Sequence, residues 1–315
     1  RLLTQLGHRR VGLVNGEIYS LAKTGTGTLR ITGANNYTGT RLRLAGGTLQ
    51  LGAGASLPSN INVIFLNNLD SPTLDLGGNA QTVANMDDGS GFTTRITNGT
   101  LTVNAGATVT YGGNNGQVND FSGLHGFNYQ QAGATNIEFK FETVNNVNNT
   151  QNTMLLAGSG PAGGVNLIKA GSRVVVGGAA TTGSTGTHRP TLRLGTDNTI
   201  NTNALQLGAF NSTGRINFQD GLTNPVLKVR AFDGTSAIPN ILIGETSSGV
   251  RDGGGDLNLA GGSADILATT ITLGRHIAQS DNPDNSSITI AGGTLSTQTL
   301  IMAEKRNRGN PTNGL

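Results

Sequence analysis

The sequence contains no cysteine and no tryptophan, and only 12% of its residues are charged. The first absence excludes disulfides and thiolate metal sites, so nothing covalent staples the fold. Globular chains carry about 25% charge, and here lysine is the scarcest cation, confined to Lys23, Lys140, Lys169, Lys228 and Lys305. Aromatics make up 4%. No apolar run approaches the roughly 20 residues that span a bilayer, so no transmembrane segment is expected. Val63 to Leu66, among the longest, has the length of one strand. Arg9 and Arg10 are not followed by the apolar stretch of a signal peptide, and both ends read as cuts in a longer protein. Net charge is +3 and dispersed, with Arg173, Arg193, Arg215 and Arg230 far apart. The one basic cluster, Lys305-Arg306-Asn307-Arg308, lies near the C-terminal end. That is no nucleic-acid footprint.

What is abundant is glycine, 49 residues of it, with asparagine and threonine. These residues suit turns and strands and form helices poorly. A polar, glycine-rich chain invites a disordered reading. Against that stand an apolar fraction of 35% and short, regular apolar alternations.

A four-residue unit recurs: apolar, any, apolar, Gly. It appears as Leu49-Gln50-Leu51-Gly52, Leu74-Asp75-Leu76-Gly77, Val109-Thr110-Tyr111-Gly112 and Val174-Val175-Val176-Gly177. It returns as Leu192-Arg193-Leu194-Gly195, Leu205-Gln206-Leu207-Gly208, Ile241-Leu242-Ile243-Gly244 and Ile271-Thr272-Leu273-Gly274. A longer unit, Leu42-Arg43-Leu44-Ala45-Gly46-Gly47-Thr48-Leu49, is nearly repeated by Ile288-Thr289-Ile290-Ala291-Gly292-Gly293-Thr294-Leu295 and more loosely by Leu257 to Ala264. Period-two alternation puts both apolar residues on one face of a strand, and the glycine turns the chain. So short a strand buries nothing alone; stacking one coil on the next builds a continuous core. Sandwiches and barrels use longer strands and hairpins. The expectation is therefore an all-β, right-handed parallel β-helix of roughly a dozen coils. At about 4.8 Å per coil it is a rod about 60 Å long. Residues 1–315 read as a single continuous segment, with a less regular, insertion-bearing stretch at 120–152. There, Asn136 to Glu142 predicts a longer strand and Asn145 to Asn152 a protruding loop.

Residues 22–52 carry the most specific signal. Lys23, Gly25, Gly27, Leu29, Asn35, Tyr37, Thr38, Gly39, Gly47, Thr48 and Leu49 fall at the spacing of a known repeat. This stretch closely resembles the autotransporter-associated β-strand repeat, also called the passenger-associated transport repeat; the rest of the chain matches as degraded copies. The resemblance implies a secreted bacterial β-helix of the kind found in autotransporter passengers and very large surface proteins, where the repeat is associated with export. A translocator barrel would need many roughly ten-residue amphipathic strands; none is expected here.

Candidates for chemistry are sparse. His8, His125, His188 and His276 are scattered, as surface or turn histidines would be. Asp87-Asp88-Gly89 is the best carboxylate pair. Acid–base work on a glycan needs partners at about 5 to 9.5 Å, and a simple turn accounts for this tripeptide. Asp252-Gly253-Gly254-Gly255-Asp256 and Asp281-Asn282-Pro283-Asp284-Asn285 are oxygen-rich loops open to weak Ca²⁺ binding or to plain solvation. Gly25 to Gly27 lacks the helix of a phosphate loop. Sequons at Asn36, Asn98, Asn148, Asn211 and Asn285 follow from composition. Asparagines one coil apart are expected to form hydrogen-bonded ladders.

The sequence thus predicts no catalytic, cofactor-binding or metal site. Its expected role is an extracellular structural or adhesive surface rod: an autotransporter-like passenger, cell-surface fibre or filament. Self-association and surface glycan or protein contacts are its expected partners. Val11, Leu13 and Ile18 are the residues available to cover the first coil. The alternative is a polysaccharide-binding or -cleaving β-helix enzyme or phage-like fibre.

Overall fold

The computed structural model describes residues 20–33, 39–66, 71–89, 93–111, 117–131, 137–142, 152–158, 164–178, 188–209, 212–246, 253–276 and 286–305. These residues contain strands and no helix. Val11, Leu13 and Ile18 lie outside them.

Every strand ladder among them is parallel, pairing a strand with one a coil later in the chain. Three stacked columns result, called here faces one, two and three. Face one runs Thr28–Ile31, Thr48–Leu51, Thr73–Asp75, Thr94–Thr97, Val118–Asp120, Thr153–Leu155, Thr191–Leu194, Gly214–Phe218. Face two runs Ala80–Val83, Thr100–Ala105, Gly126–Gln131, Val165–Ala170, Asp197–Thr202, Val226–Arg230. Face three begins with Ser20–Lys23, Arg41–Leu44, Asn62–Leu66 and Asn85–Gly89. It resumes with Val109–Tyr111, Glu138–Phe141, Arg173–Val176, Ala204–Leu207 and Ile238–Thr246. Gly255–His276 passes through all three faces in one extended run, and Ser287–Lys305 follows it in register with one bulge after Leu259. This pairing is consistent with a parallel β-helix.

The repeating unit found in the sequence forms these strands. Leu49, Leu74, Leu192, Leu205 and Ile241 point inward and are no more than 1% exposed. The residue between the two apolar positions faces out, and in Val175 and Leu242 it is apolar yet still buried. The irregular spacing of the copies comes from crossings of unequal length. Face one to face two takes residues 195–196 in one coil and 156–164 in another, and face two to face three takes residue 203 in one coil and 231–237 in another. The return to face one takes residues 177–190 in one coil and 247–254 in another.

Two features of the repeats are not visible in the sequence. The near-identical octapeptides do not occupy equivalent places. Leu42 to Leu49 turns from face three to face one, whereas Ile288 to Leu295 turns from face one to face two. Both corners need the same local backbone, with φ of +61° at Gly47 and +91° at Gly293, so one sequence serves both. Second, the less regular stretch keeps the stacking register. Phe127 and Tyr129 sit over Leu101 and Val103, and Phe139 and Phe141 over Val109 and Tyr111. Aromatic rings replace aliphatic side chains at unchanged inward positions, which hid the repeat. Tyr111, Tyr129 and Phe139 pack with centroids 5.0–5.3 Å apart. The strand there is only Glu138–Phe141. Of the expected loop, Asn152 is fully buried and accepts the Gln117 amide at 3.0 Å; residues 145–151 lie outside the described residues.

One rung of the expected asparagine ladder is present among the described residues, Asn166 to Asn198 inside the core. Gln81, Leu101, Phe127, Asn166, Asn198 and Leu227 form one inward column on face two. Each amide in it pairs with both backbone groups of a single residue, as a neighbouring strand would. Gln81 takes Leu57 N–H at 2.7 Å and donates to its carbonyl at 3.1 Å. Asn166 does so with Ala157 at 3.0 and 2.9 Å, and Asn198 with Gly195 at 2.9 and 2.8 Å. Asn166 also donates to the Asn198 oxygen at 3.0 Å. The amides thus satisfy corner backbone that no strand reaches. Asn198→Leu keeps the volume but orphans the Gly195 N–H and carbonyl. It should cost about 2–4 kcal/mol in urea unfolding, whereas outward-facing Thr199→Val should change stability by less than about 0.5 kcal/mol.

Candidate functional site: the lysine corner and the outer faces

The residues of the specific repeat meet at one corner. Alternation through Leu21 and Lys23 puts both on the inward side, and the register pairs Lys23 with Leu44, which in turn pairs with Phe65. Lys23 is 6% exposed. Its stem lies in the apolar column, and its ammonium donates to the carbonyls of Thr24, Gly25 and Gly46 at 3.0, 2.8 and 3.0 Å. A charge taken out of water needs such partners. Gly47 closes the pocket: a Cβ there would stand 2.4 Å from the Gly27 carbonyl, 2.5 Å from the Gly25 carbonyl and 2.7 Å from the ammonium. Gly47 is therefore required by close approach as well as by φ, whereas Gly25 has the left-handed φ of +73° with open space beside it. Thr48 N–H reaches the Gly27 carbonyl at 3.2 Å, and Leu49 is fully buried. Asn35, Tyr37 and Thr38 lie outside the described residues. Period-two alternation already marks Lys23 as inward; what it holds was not legible without the fold.

Face three carries a line of polar contacts along the stack. Glu138 pairs with Arg173 and with Lys140, and Arg173 reaches Gln206 at 3.0 Å. Gln206 continues to Glu245 at 3.3 Å, and Glu245 meets Arg275 at 2.9 Å. Burial works against Glu138 ionising, but the hydrogen bonds and charges of Arg173 and Lys140 outweigh it and hold the carboxyl below its usual range. Glu142, 7% exposed, lies one step past that strand with its Oε1 beside Gly178. Desolvation pushes its carboxyl up, against the pull of Lys140 and Arg173. Burial likewise pushes the Tyr129 hydroxyl up; it donates to the Glu138 carbonyl at 3.1 Å.

The sequence candidates do not converge. Asp87 and Asp88 lie on the strand Asn85–Gly89 and form no turn; Asp87 is exposed, and its ladder partner is Ile64. His188 is no surface residue: it is 1% exposed, and burial holds its imidazole below the usual range. His125 is half-buried in a corner, His276 ends a strand, and His8 lies outside the described residues. Of the oxygen-rich loops, Asp252 and residues 281–285 lie outside the described residues, and Asp256 accepts Ser287 Oγ at 2.7 Å. Of the sequons, Asn98 turns at φ 58° and donates to Asp75 at 3.1 Å; Asn36, Asn148, Asn211 and Asn285 lie outside. Among the described residues no three His, Asp or Glu side chains gather as a metal site would need, and no helix is long and apolar enough to cross a membrane.

Glu142 gives a pH prediction. Its carboxyl is raised in the fold from 4.5, so its protonated form is the better tolerated one, and its stabilising share is complete below that value and lost as pH rises through the folded pKa. Glu142→Gln should match the native protein near pH 4 and exceed it in thermal midpoint at pH 8. A native advantage at pH 8 would refute this.

No curated protein and no solved structure matches the chain. Residues 21–51, the strands and corner built around Lys23 and Gly47, match the passenger-associated-transport-repeat family.

Proposed function

We propose that this chain is part of an extracellular structural or adhesive surface rod of bacterial origin, exported as an autotransporter-type passenger. In this reading the coils wind right-handedly, number about a dozen, and continue unbroken over residues 1–315. Function then resides in length, stiffness and a repeated polar outer face. The observation that carries the reading is the coincidence of two things. The family match falls on a corner built for coil stacking, and the same parallel register then recurs through the described strands to Lys305. Among the described residues the outward strand positions are mostly Thr, Asn, Gln, Arg and Asp. Filament formation belongs to the same reading.

The polysaccharide enzyme gains no support from the positions of Asp87 and Asp88, and a glycan screen with reducing-end detection should show no turnover. The decisive measurement is surface protease shaving of intact source cells, followed by immunodetection. Release of fragments before lysis is expected. Antigen reachable only after lysis would end the proposal.

A further inference from the structure

We propose that the carbonyls of Thr24, Gly25 and Gly46 form a cation-binding cradle whose resident cation is the Lys23 ammonium, and that this clasp sets the register of the first coils. Apolar alternation cannot do this alone. Leu21 pairs with Leu42, and Lys23 with Leu44. A slip of two residues that paired Lys23 with Leu42 would keep the inward and outward alternation and leave a leucine in the column. The same slip would carry the ammonium away from Gly46, whose carbonyl belongs to the next coil, and leave a buried charge without one of its acceptors. That alternative is costly, so the pairing seen is singled out.

Three independent features fit a site shaped around the cation. The acceptors come from both coils, at 2.8–3.0 Å. The space beside the ammonium is open only because residue 47 is glycine. The flanking backbone bonds, Ala45 N–H to the Lys23 carbonyl at 2.8 Å and Thr48 N–H to the Gly27 carbonyl at 3.2 Å, are the ones that a slip would break. Lys23 is a positioning residue in this account: it acts through the backbone pairing on either side of the corner.

The absence of cysteine makes a clean test possible. In Lys23→Cys the single thiol is alkylated in denaturant, either with 2-bromoethylamine, which restores a lysine-like ammonium, or with 1-bromopropane, which gives a neutral side chain of the same length. After refolding, amide hydrogen exchange is compared at Ala45 and Thr48 and, as a reference, at Leu227 and Val229. The aminoethylated chain should protect all four as the native chain does. The propylated chain should exchange about tenfold faster or more at Ala45 and Thr48 and be unchanged at the reference strand. Failure of the propylated chain alone to refold supports the clasp as well. Equal protection in the two alkylated forms overturns it, as does loss spread evenly to Leu227 and Val229. Should neither alkylated chain refold, Lys23→Met carries the comparison. Native protection at Ala45 and Thr48 in that variant overturns the proposal, and a loss confined to them supports it.

Discussion

The structure depends on the backbone ladder between successive coils. Each strand is short, and the face it presents inward, commonly two side chains such as Leu49 and Leu51, excludes water only when a neighbour lies above and below. Burying one such leucine contributes about 1.5–3 kcal/mol, and the fixed backbone of a four-residue strand costs more than two of them return. No coil is stable by itself. Pairing Thr48–Leu51 with Thr28–Ile31 on one side and Thr73–Asp75 on the other supplies both the hydrogen bonds and the apolar surface. Turns, glycines and polar outer residues all serve that stacking.

Stacking alone leaves the corners unsolved. At a corner the chain leaves one ladder before entering the next, and its amides and carbonyls face the interior. The fold answers with side chains that imitate backbone. Gln81, Asn166 and Asn198 each engage the N–H and the carbonyl of one residue, which is the pattern a strand neighbour offers. Lys23 serves the carbonyls of Thr24, Gly25 and Gly46, and a side chain with donors and no acceptor suits that task. Gln81, Asn166 and Asn198 lie on laddered strands themselves, and their side chains serve the corner backbone that the ladder leaves unpaired.

Much of the strand content was legible because a period of two is hard to disguise: eight copies of one tetrapeptide fell where the alternation placed them. Legibility failed where different residues perform one task or one sequence performs two. Phe139 and Phe141 fill the positions of Val174 and Val176 in the next coil, so the repeat vanished from the sequence while persisting in space. The Ala-Gly-Gly turn did the reverse, appearing at two different corners because both require the same backbone. The partners of Lys23 and Glu142 were beyond reach for a simpler reason. They depend on which coil lies beside which, and the variable crossings between faces conceal that spacing.

The same reasoning bears on where function sits. Inward positions are committed to packing and corner repair, and a change there propagates to the adjoining coils. The outward positions of face three show what remains: Glu138, Arg173, Gln206, Glu245 and Arg275 are spread over successive coils and linked along the stack. They bind one another across coils and do not converge on a point. Charges arranged that way tie successive coils together and present a polar strip on face three. A catalytic centre requires the opposite, several groups from different coils aimed at one small volume. The outer surface of the described strands follows the period of the coils.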